Sequence, residues 1–217
     1  MKKLVIFDLD GTLLDTVSDL AHATNHALTH CGFPAHDVNA YYHFVGRGID
    51  NLFRAALPEK ESTNENVLRM RAAFIPYYNE HNADYSKPYE GIPDLLNTLR
   101  RKGIRLAVAS NKYQQATEKL IARFFPSISF DAVFGQREGF PMKPDPAIVN
   151  LIVGQAGVDT HDVLYVGDSG IDMQTAANAH VESIGVTWGF RSADELRENG
   201  AKHMANIPDD ILPIALK

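Results

Sequence analysis

The chain has 217 residues, 45% of them hydrophobic and 22% charged, with a formal net charge of -6 at pH 7. A chain of this size can bury a sizeable core, and its acidic balance without a Lys/Arg run argues against nucleic-acid binding. Its apolar stretches are too short to span a membrane, and its single cysteine, Cys31, excludes an intrachain disulfide. We therefore expect a cytoplasmic protein without a signal peptide.

Five short segments rich in apolar and β-branched residues are predicted to be strands. They are residues 3–7, 105–109, 132–134, 163–166 and 183–187. The first, second and fourth are almost continuously apolar, which is typical of strands that are covered on both faces. Helical patterns separate the later segments. This alternation predicts an α/β fold with a doubly wound parallel sheet, a Rossmann-like core.

Residues 16–85 interrupt this alternation because they contain helical patterns and no clear strand. Apolar residues recur at helical spacing from Val17 to Cys31, from Leu52 to Leu57 and from Val67 to Tyr78. A connection between a strand and a helix normally needs only a few residues. We therefore predict an all-helical cap domain at 16–85, inserted into a core made of 1–15 and 86–217. It would lie beside the carboxyl end of the first strand, over any site there.

Two predicted strands are followed by pairs of aspartates. Asp8 and Asp10 follow the first strand, and Asp168 and Asp172 follow the fourth. Buried carboxylates are costly unless a cation or hydrogen bonds compensate them, and Gly11 permits a tight turn or a close backbone approach. Because the carboxyl ends of strands in such a sheet converge on one crevice, we predict an acidic metal site there. Its oxygen ligands favour Mg²⁺.

Two further motifs are candidates for binding an anion. Ser110-Asn111-Lys112 ends the second strand just before a helix, where a hydroxyl and free backbone N–H groups can hold a phosphate. Lys143 is followed by Pro144, and a second proline at 146 further stiffens the chain around its ammonium group. Taken alone, the first motif also fits a simple helix cap, and the second fits a solvated lysine.

These four motifs, in this order and spacing, resemble those of the haloacid dehalogenase-like phosphatases over the whole chain. The resemblance implies that Asp8 is a nucleophile that forms an aspartyl-phosphate and that Asp10 is the general acid and base. It implies Mg²⁺ held by Asp8, Asp168 and the backbone carbonyl of Asp10, with Asp172 orienting Lys143 or a water on the ion. The phosphate-binding residues that it implies are Gly11, Thr12, Ser110, Asn111 and Lys143.

Three details resemble the phosphoglycolate phosphatases within that superfamily. They are Ser110-Asn111-Lys112, the segment Gly185-Val186-Thr187-Trp188-Gly189-Phe190 and the loop Phe44-Val45-Gly46-Arg47-Gly48. The resemblance implies a small phosphorylated metabolite, 2-phosphoglycolate, as substrate, with Arg47 pairing to its carboxylate unless this arginine is merely solvated. We expect a monomer or a homodimer.

Other functions on the same core remain open at this point. A β-phosphoglucomutase would differ mainly in its cap loop, and a cytosolic pyrophosphatase or a broad sugar-phosphate phosphatase also fits the motifs. A non-catalytic binding module would have lost at least one of Asp8, Asp10, Lys143 and Asp168, and all four are present. His22, His26 and His30 recur every four residues, a spacing that suits a transition metal, but a solvated helix face is the favoured interpretation.

Overall fold

The computed structural model describes residues 1–217 and contains a six-stranded parallel sheet, in the order β5-β4-β1-β6-β7-β8, with helices on both faces. The strands are β1 (Leu4–Phe7), β2 (Leu14–Asp15), β3 (Lys87–Pro88), β4 (Arg105–Tyr113), β5 (Ala132–Gln136), β6 (Val163–Gly167), β7 (Glu182–Val186) and β8 (His203–Ala205). The helices are α1 (Val17–Cys31), α2 (Tyr41–Phe44), α3 (Ile49–Ala56), α4 (Asn64–His81), α5 (Ile92–Arg101), α6 (Gln114–Phe124), α7 (Ala147–Ala156), α8 (Gly170–Asn178), α9 (Ala193–Glu198) and α10 (Ile211–Ala215). None of these helices combines the length and the apolar character needed to cross a membrane.

The central strand β1 is buried on both faces. Val5 and Phe7 belong to one apolar layer, which includes buried residues of α5 and α6. Leu4 and Ile6 belong to the opposite layer, which includes buried residues of α7 and α8. Alternate side chains of one strand therefore reach two helical layers, as expected for a parallel sheet covered on both sides. The predicted doubly wound α/β fold is confirmed.

The prediction of five strands was wrong by one, because β8 adds a sixth at the edge of the sheet. This strand pairs in parallel with β7, with Val186 opposite Ala205. It has only three residues, of which His203 and Met204 are half-buried, so it leaves no apolar run in the sequence. The strand β4 also extends to Tyr113, four residues beyond its predicted end at Ala109.

The helices α1 to α4 share an apolar core of their own. Its fully buried members include Leu28, Tyr41, Phe53, Met70 and Tyr78. We predicted a cap domain at 16–85 inserted into a core domain made of 1–15 and 86–217. This division stays a prediction, and the separate apolar core of the helices supports it. The chain enters the helical segment α1 to α4 after β2 and returns from it at β3. These two short strands pair antiparallel, with Asp15 opposite Lys87.

The loop after β7 holds the helical segment over the carboxyl edge of the sheet. The guanidinium group of Arg191 donates hydrogen bonds to the backbone oxygens of Tyr42 and Val45, at the end of α2. The ring of Phe190 lies edge-on to that of Tyr42, with their centroids 5.6 Å apart. These contacts close one side of the cleft between the sheet and the helices.

Candidate active site

The aspartates that follow β1 and β6 meet because these strands are adjacent and parallel, with Phe7 opposite Val166. Each of Asp8, Asp168 and Asp172 is buried, and one carboxylate oxygen of each lies within 4.8 Å of the others. Burial of three carboxylates in so small a volume is unfavourable unless positive charge accompanies them.

Asp8 and Asp168 retain protons more strongly than isolated aspartates do. Burial raises the pKa of Asp8 to about 7; Lys143 opposes the shift, and Asp172 and Asp10 add to it. Burial also raises the pKa of Asp168 well above its usual range, and Asp172 and Asp8 raise it further. When all three are deprotonated, these carboxylates carry more negative charge than Lys143 neutralises, which is the electrostatic condition for binding a cation.

Lys143 lies at the centre of the cluster. Its ammonium is 2.9 Å from Oδ1 of Asp8 and 2.8 Å from Oδ1 of Asp172, and it donates hydrogen bonds to the Ala109 carbonyl (2.9 Å) and to the Tyr165 hydroxyl (3.0 Å). Burial lowers its pKa, but Asp172 and Asp8 oppose this so strongly that the net pKa is well above the usual value. Lys143 therefore remains a cation beside Asp8.

The oxygens of Asp172 are fully used within the protein. Oδ1 accepts hydrogen bonds from Lys143 and from the Tyr165 hydroxyl (3.1 Å), and Oδ2 accepts from the backbone N–H and the hydroxyl of Ser169 (3.1 and 2.6 Å). By contrast, Oδ1 of Asp8 accepts no hydrogen bond of good geometry, although it is buried beside Lys143. Asp8 is thus available to a ligand, whereas Asp172 positions Lys143.

The backbone around Asp168 is packed too closely to admit larger residues. Oδ2 of Asp168 accepts a hydrogen bond from the Phe190 N–H (2.7 Å), and Oδ1 lies 3.5 Å from the Thr12 hydroxyl. A Cβ atom added at Gly11 or Gly189 would lie less than 3.0 Å from this carboxylate. Gly11 also has φ +84°, in the left-handed region that favours glycine. Both glycines leave space for the carboxylate at the sheet edge.

Asp10 faces the helical segment and has two partners. Its Oδ1 accepts a hydrogen bond from the Thr16 hydroxyl (2.6 Å) and lies 3.0 Å from the ammonium of Lys112. Thr16 precedes α1, but its hydroxyl makes no capping bond to that helix. Both Thr16 and the side chain of Lys112 hold the carboxylate of Asp10, although neither has a predicted role.

An irregularity in β4 brings three consecutive side chains to the site. The pairing of β4 with β5 changes register between Ala109 and Tyr113. In a regular strand Asn111 would point away from Ser110 and Lys112, but here all three line one cavity. The Asn111 amide donates to the Gly46 and Lys143 carbonyls (both 3.2 Å) and accepts from the Lys143 N–H (2.9 Å). Asn111 therefore holds Lys143 in place, and its contact with phosphate stays a prediction.

The cavity lies between the sheet edge and the helical segment and has a volume of about 50 Å³. Asp8, Asp10, Ser110 and Lys112 line its core side. The helical segment contributes mainly apolar groups: Leu20, Val45, Ile49, Leu52, Phe74 and Tyr78. A cavity of this size holds roughly three to five water-sized groups, so it suits a small ligand.

Arg47 is not brought into this cavity. Its side chain is exposed and makes no hydrogen bond or ion pair; only its backbone carbonyl is used, by Asn51 (2.7 Å). It lines a different, more polar cleft together with Ser169 and Arg191. The pairing of Arg47 with a substrate carboxylate stays a prediction, and its position gives that prediction no support.

The three histidines of α1 lie on an exposed face of the helix. His26 stacks on Tyr77 with ring centroids 4.1 Å apart, and His22 stacks on Tyr85 at 5.0 Å. They lie outside the cavity at Asp8, and their exposure agrees with a solvated helix face.

The sequence matches a family model described as "Haloacid dehalogenase-like hydrolase" over residues 5–186. A phosphoglycolate phosphatase of Agrobacterium fabrum is 36% identical over 197 residues, covering 88% of this chain and 82% of the relative. A phosphoglycolate phosphatase of Aliivibrio fischeri is 31% identical, covering 91% and 89%. The fold is also similar to the crystal structure of a predicted phosphoglycolate phosphatase from Haemophilus somnus, with a TM-score of 0.91, 28% identity and coverage of 98% and 97%.

Proposed function

The chain belongs to the haloacid dehalogenase-like hydrolases and is a phosphoric monoester hydrolase, and we propose that it hydrolyses 2-phosphoglycolate to glycolate and phosphate. The observation that carries this choice is the small size of the cavity at Asp8, about 50 Å³, which leaves less room beyond the phosphate for a sugar ring than for a two-carbon group. The names of the relatives support the same substrate. We also propose a cytoplasmic setting and a monomer or homodimer.

In the proposed reaction Asp8 attacks the phosphorus atom of the substrate. A bond forms between a carboxylate oxygen of Asp8 and phosphorus while the bond from phosphorus to the glycolate oxygen breaks. Asp10 gives a proton to the departing oxygen and then accepts one from the water that hydrolyses the aspartyl-phosphate. The hydrogen bond from Thr16 and the contact with Lys112 support this role, because they fix the Asp10 carboxyl on the cavity wall.

The transferred phosphoryl group needs positive charge and hydrogen-bond donors around its oxygens. We assign these to Lys143, whose ammonium is 2.9 Å from Asp8, and to the hydroxyl of Ser110 on the cavity wall. The backbone N–H groups of Gly11 and Thr12 donate to the carbonyls of Leu14 (2.8 Å) and Leu9 (3.3 Å), so a contact of these two residues with phosphate stays a prediction. Because Lys143 also pairs with Asp172, its position beside the nucleophile is set before the substrate binds.

A divalent cation fits the acidic cluster, and we propose Mg²⁺ held by Asp8, Asp168 and the backbone carbonyl of Asp10. The fit rests on Asp8, whose Oδ1 is buried without a hydrogen bond, and on the close packing of Gly11 and Gly189 around Asp168. When bound, the cation offsets the repulsion between the carboxylate nucleophile and the anionic phosphate. We assign Asp172 to positioning Lys143 rather than to the cation, since both of its oxygens already accept hydrogen bonds.

The stabilisation of the protein by Mg²⁺ is expected to increase with pH. Without the cation, the folded-state pKa of Asp8 (about 7) exceeds the ordinary value of 3.8. The folded state then binds more protons than the unfolded chain between these values, and its stability falls as pH rises towards 7. Mg²⁺ binds only the deprotonated carboxylates and removes this loss. Thermal unfolding should therefore give a larger Mg²⁺-induced increase in Tm at pH 8 than at pH 5.5.

Asp168→Asn is the matched control for this experiment, since it removes one carboxylate ligand and keeps the shape of the side chain. Its Tm should respond much less to Mg²⁺ at both pH values. An equal increase in Tm at pH 5.5 and pH 8 in the unaltered protein would contradict the proposed ligation by carboxylates of raised pKa.

Phosphate release with Mg²⁺ from a panel of substrates tests the proposed activity. We expect the highest kcat/KM for 2-phosphoglycolate, compared with pyrophosphate, glucose 1-phosphate and nucleoside monophosphates. Comparable rates on several sugar phosphates would instead indicate a broad phosphatase, and a preference for pyrophosphate a pyrophosphatase. Conversion of glucose 1-phosphate to glucose 6-phosphate without net release would indicate a mutase.

A further inference from the structure

The hydroxyl of Tyr78 is a buried donor that has no partner in the protein. Tyr78 is 0% exposed, lies on α4 and lines the cavity at Asp8 and Asp10. No protein group accepts a hydrogen bond from its hydroxyl. Leaving such a group unpaired costs about 1–3 kcal/mol, and most buried polar groups in proteins are paired. An unpaired hydroxyl on a cavity wall is thus expected where a ligand supplies the acceptor.

The hydroxyl of Tyr113 provides the comparison within the same cavity. Tyr113 also lines the cavity, but its hydroxyl donates to Oδ1 of Asn79 at 2.8 Å. Asp19, the other acid near Tyr78, is occupied by the backbone N–H groups of Tyr85 and Ser86 and by the Ser86 hydroxyl. The hydroxyl of Tyr78 is therefore an unpaired donor, whereas the polar groups of Tyr113 and Asp19 beside it have hydrogen-bond partners.

Lys112 is the one positively charged residue among the 14 that line the cavity. Its side chain is 3% exposed, and its ammonium lies 4.9 Å from the centroid of the Tyr78 ring. Asp10 is its only ionic partner, at 3.0 Å, although an ammonium can donate three hydrogen bonds. Its remaining donors and the hydroxyl of Tyr78 belong to neighbouring side chains on one wall of a small, mostly apolar cavity.

The position of Asp10 shows where the ammonium of Lys112 and the hydroxyl of Tyr78 lie relative to the reacting atoms. In the proposed mechanism Asp10 protonates the ester oxygen of the substrate, and the carboxylate of 2-phosphoglycolate lies one methylene group beyond that oxygen. Lys112 contacts Asp10 directly, so its ammonium is near the place where this carboxylate must lie. Burying a carboxylate is favourable only where a charged partner and further donors meet it.

Resting on the proposed function, we propose that Lys112 and Tyr78 together bind the carboxylate of 2-phosphoglycolate and set the preference for a substrate that carries this group. The ammonium of Lys112 neutralises the charge, and the hydroxyl of Tyr78 donates a second hydrogen bond. Substrates without the carboxylate leave the Tyr78 hydroxyl unpaired in the cavity, which disfavours their transition states.

The ratio of kcat/KM for 2-phosphoglycolate to kcat/KM for ethyl phosphate measures this preference, because the second compound has a methyl group in place of the carboxylate and offers no acceptor there. Lys112→Met should lower the ratio by about 30-fold or more, and Tyr78→Phe by about 5- to 10-fold. Lys112→Arg keeps the charge and should retain most of the ratio. Tyr113→Phe removes a satisfied hydroxyl from the same cavity and should change the ratio by less than about twofold.

The outcomes separate this assignment from the proposed substrate. If the ratio is high in the unaltered protein and stays high in both Lys112→Met and Tyr78→Phe, these two residues do not bind the carboxylate, whereas 2-phosphoglycolate is still supported as the substrate. A ratio near one in the unaltered protein would contradict 2-phosphoglycolate as the preferred substrate, and with it the binding of its carboxylate by Lys112 and Tyr78. The loss of the Lys112 contact with Asp10 should lower kcat/KM for both compounds by the same factor. This common effect cancels in the ratio.

Discussion

Replacing Asp8 by Asn is expected to lower kcat by at least about 10⁴-fold, because an amide cannot attack phosphorus in place of the carboxylate. The substitution keeps the size of the side chain and removes one of three clustered carboxylates. Without Mg²⁺ the variant should therefore be at least as stable as the unaltered protein at pH 8. Phosphate release under saturating substrate, together with thermal unfolding, measures both effects.

Asp15→Asn is the matched control, since Asp15 follows Asp8 closely in the sequence but lies in β2, opposite Lys87 and away from the cavity. Its kcat should change by less than about threefold. Substantial activity in Asp8→Asn would remove Asp8 from the mechanism, and an equal loss in Asp15→Asn would point to a general effect of altering this segment.

Replacing Lys143 by Met is expected to impair both stability and activity. The ammonium of Lys143 contacts Asp8 and Asp172, and it is the cation at the centre of the buried cluster. Removing one partner of a buried ion pair typically costs about 3–5 kcal/mol of unfolding free energy. The loss of a charge that stabilises the transferred phosphoryl group should also lower kcat by about 10²- to 10³-fold.

The double variant Lys143→Met with Asp172→Asn separates these two roles. It removes a charge of each sign, so much of the lost stability should return, whereas the activity should remain low. Denaturant unfolding without Mg²⁺ gives the stabilities, and phosphate release gives the activities. Recovery of activity in the double variant would contradict a direct role of Lys143 at the phosphate and leave it only a structural one.

The two aspartate motifs could be placed from sequence because each follows a segment whose apolar pattern is unambiguous. The strands β1 and β6 are almost purely apolar, and the aspartates after them can be placed at one sheet edge from the topology of a parallel sheet alone. The strand β8 could not be recognised in this way, since three partly exposed residues at a sheet edge leave no apolar pattern.

The wall of the cavity that faces the helices was not predictable from local patterns. Tyr78 looks like any buried aromatic residue of α4, and only the packing of the helical segment on the sheet brings it to Lys112. Lys112 itself points into the cavity because β4 changes register after Ala109. Arg47 was predicted from the resemblance of its loop to that of the phosphoglycolate phosphatases, but the direction of its side chain depends on a backbone with φ +117° at Gly46 and +80° at Gly48.

The proposed reaction passes through a covalent phosphoenzyme at Asp8, which can be trapped chemically. The protein is mixed with 2-phosphoglycolate and Mg²⁺, quenched in acid within the first turnover, and digested for mass spectrometry. We predict a phosphoryl group on the peptide that contains Asp8, which is missing in Asp8→Asn. Hydroxylamine should attack the acyl carbon of the aspartyl-phosphate, release phosphate and leave a hydroxamate on Asp8. Turnover of the substrate with no modified Asp8 peptide at any quench time, or with the label on another residue, would contradict the account.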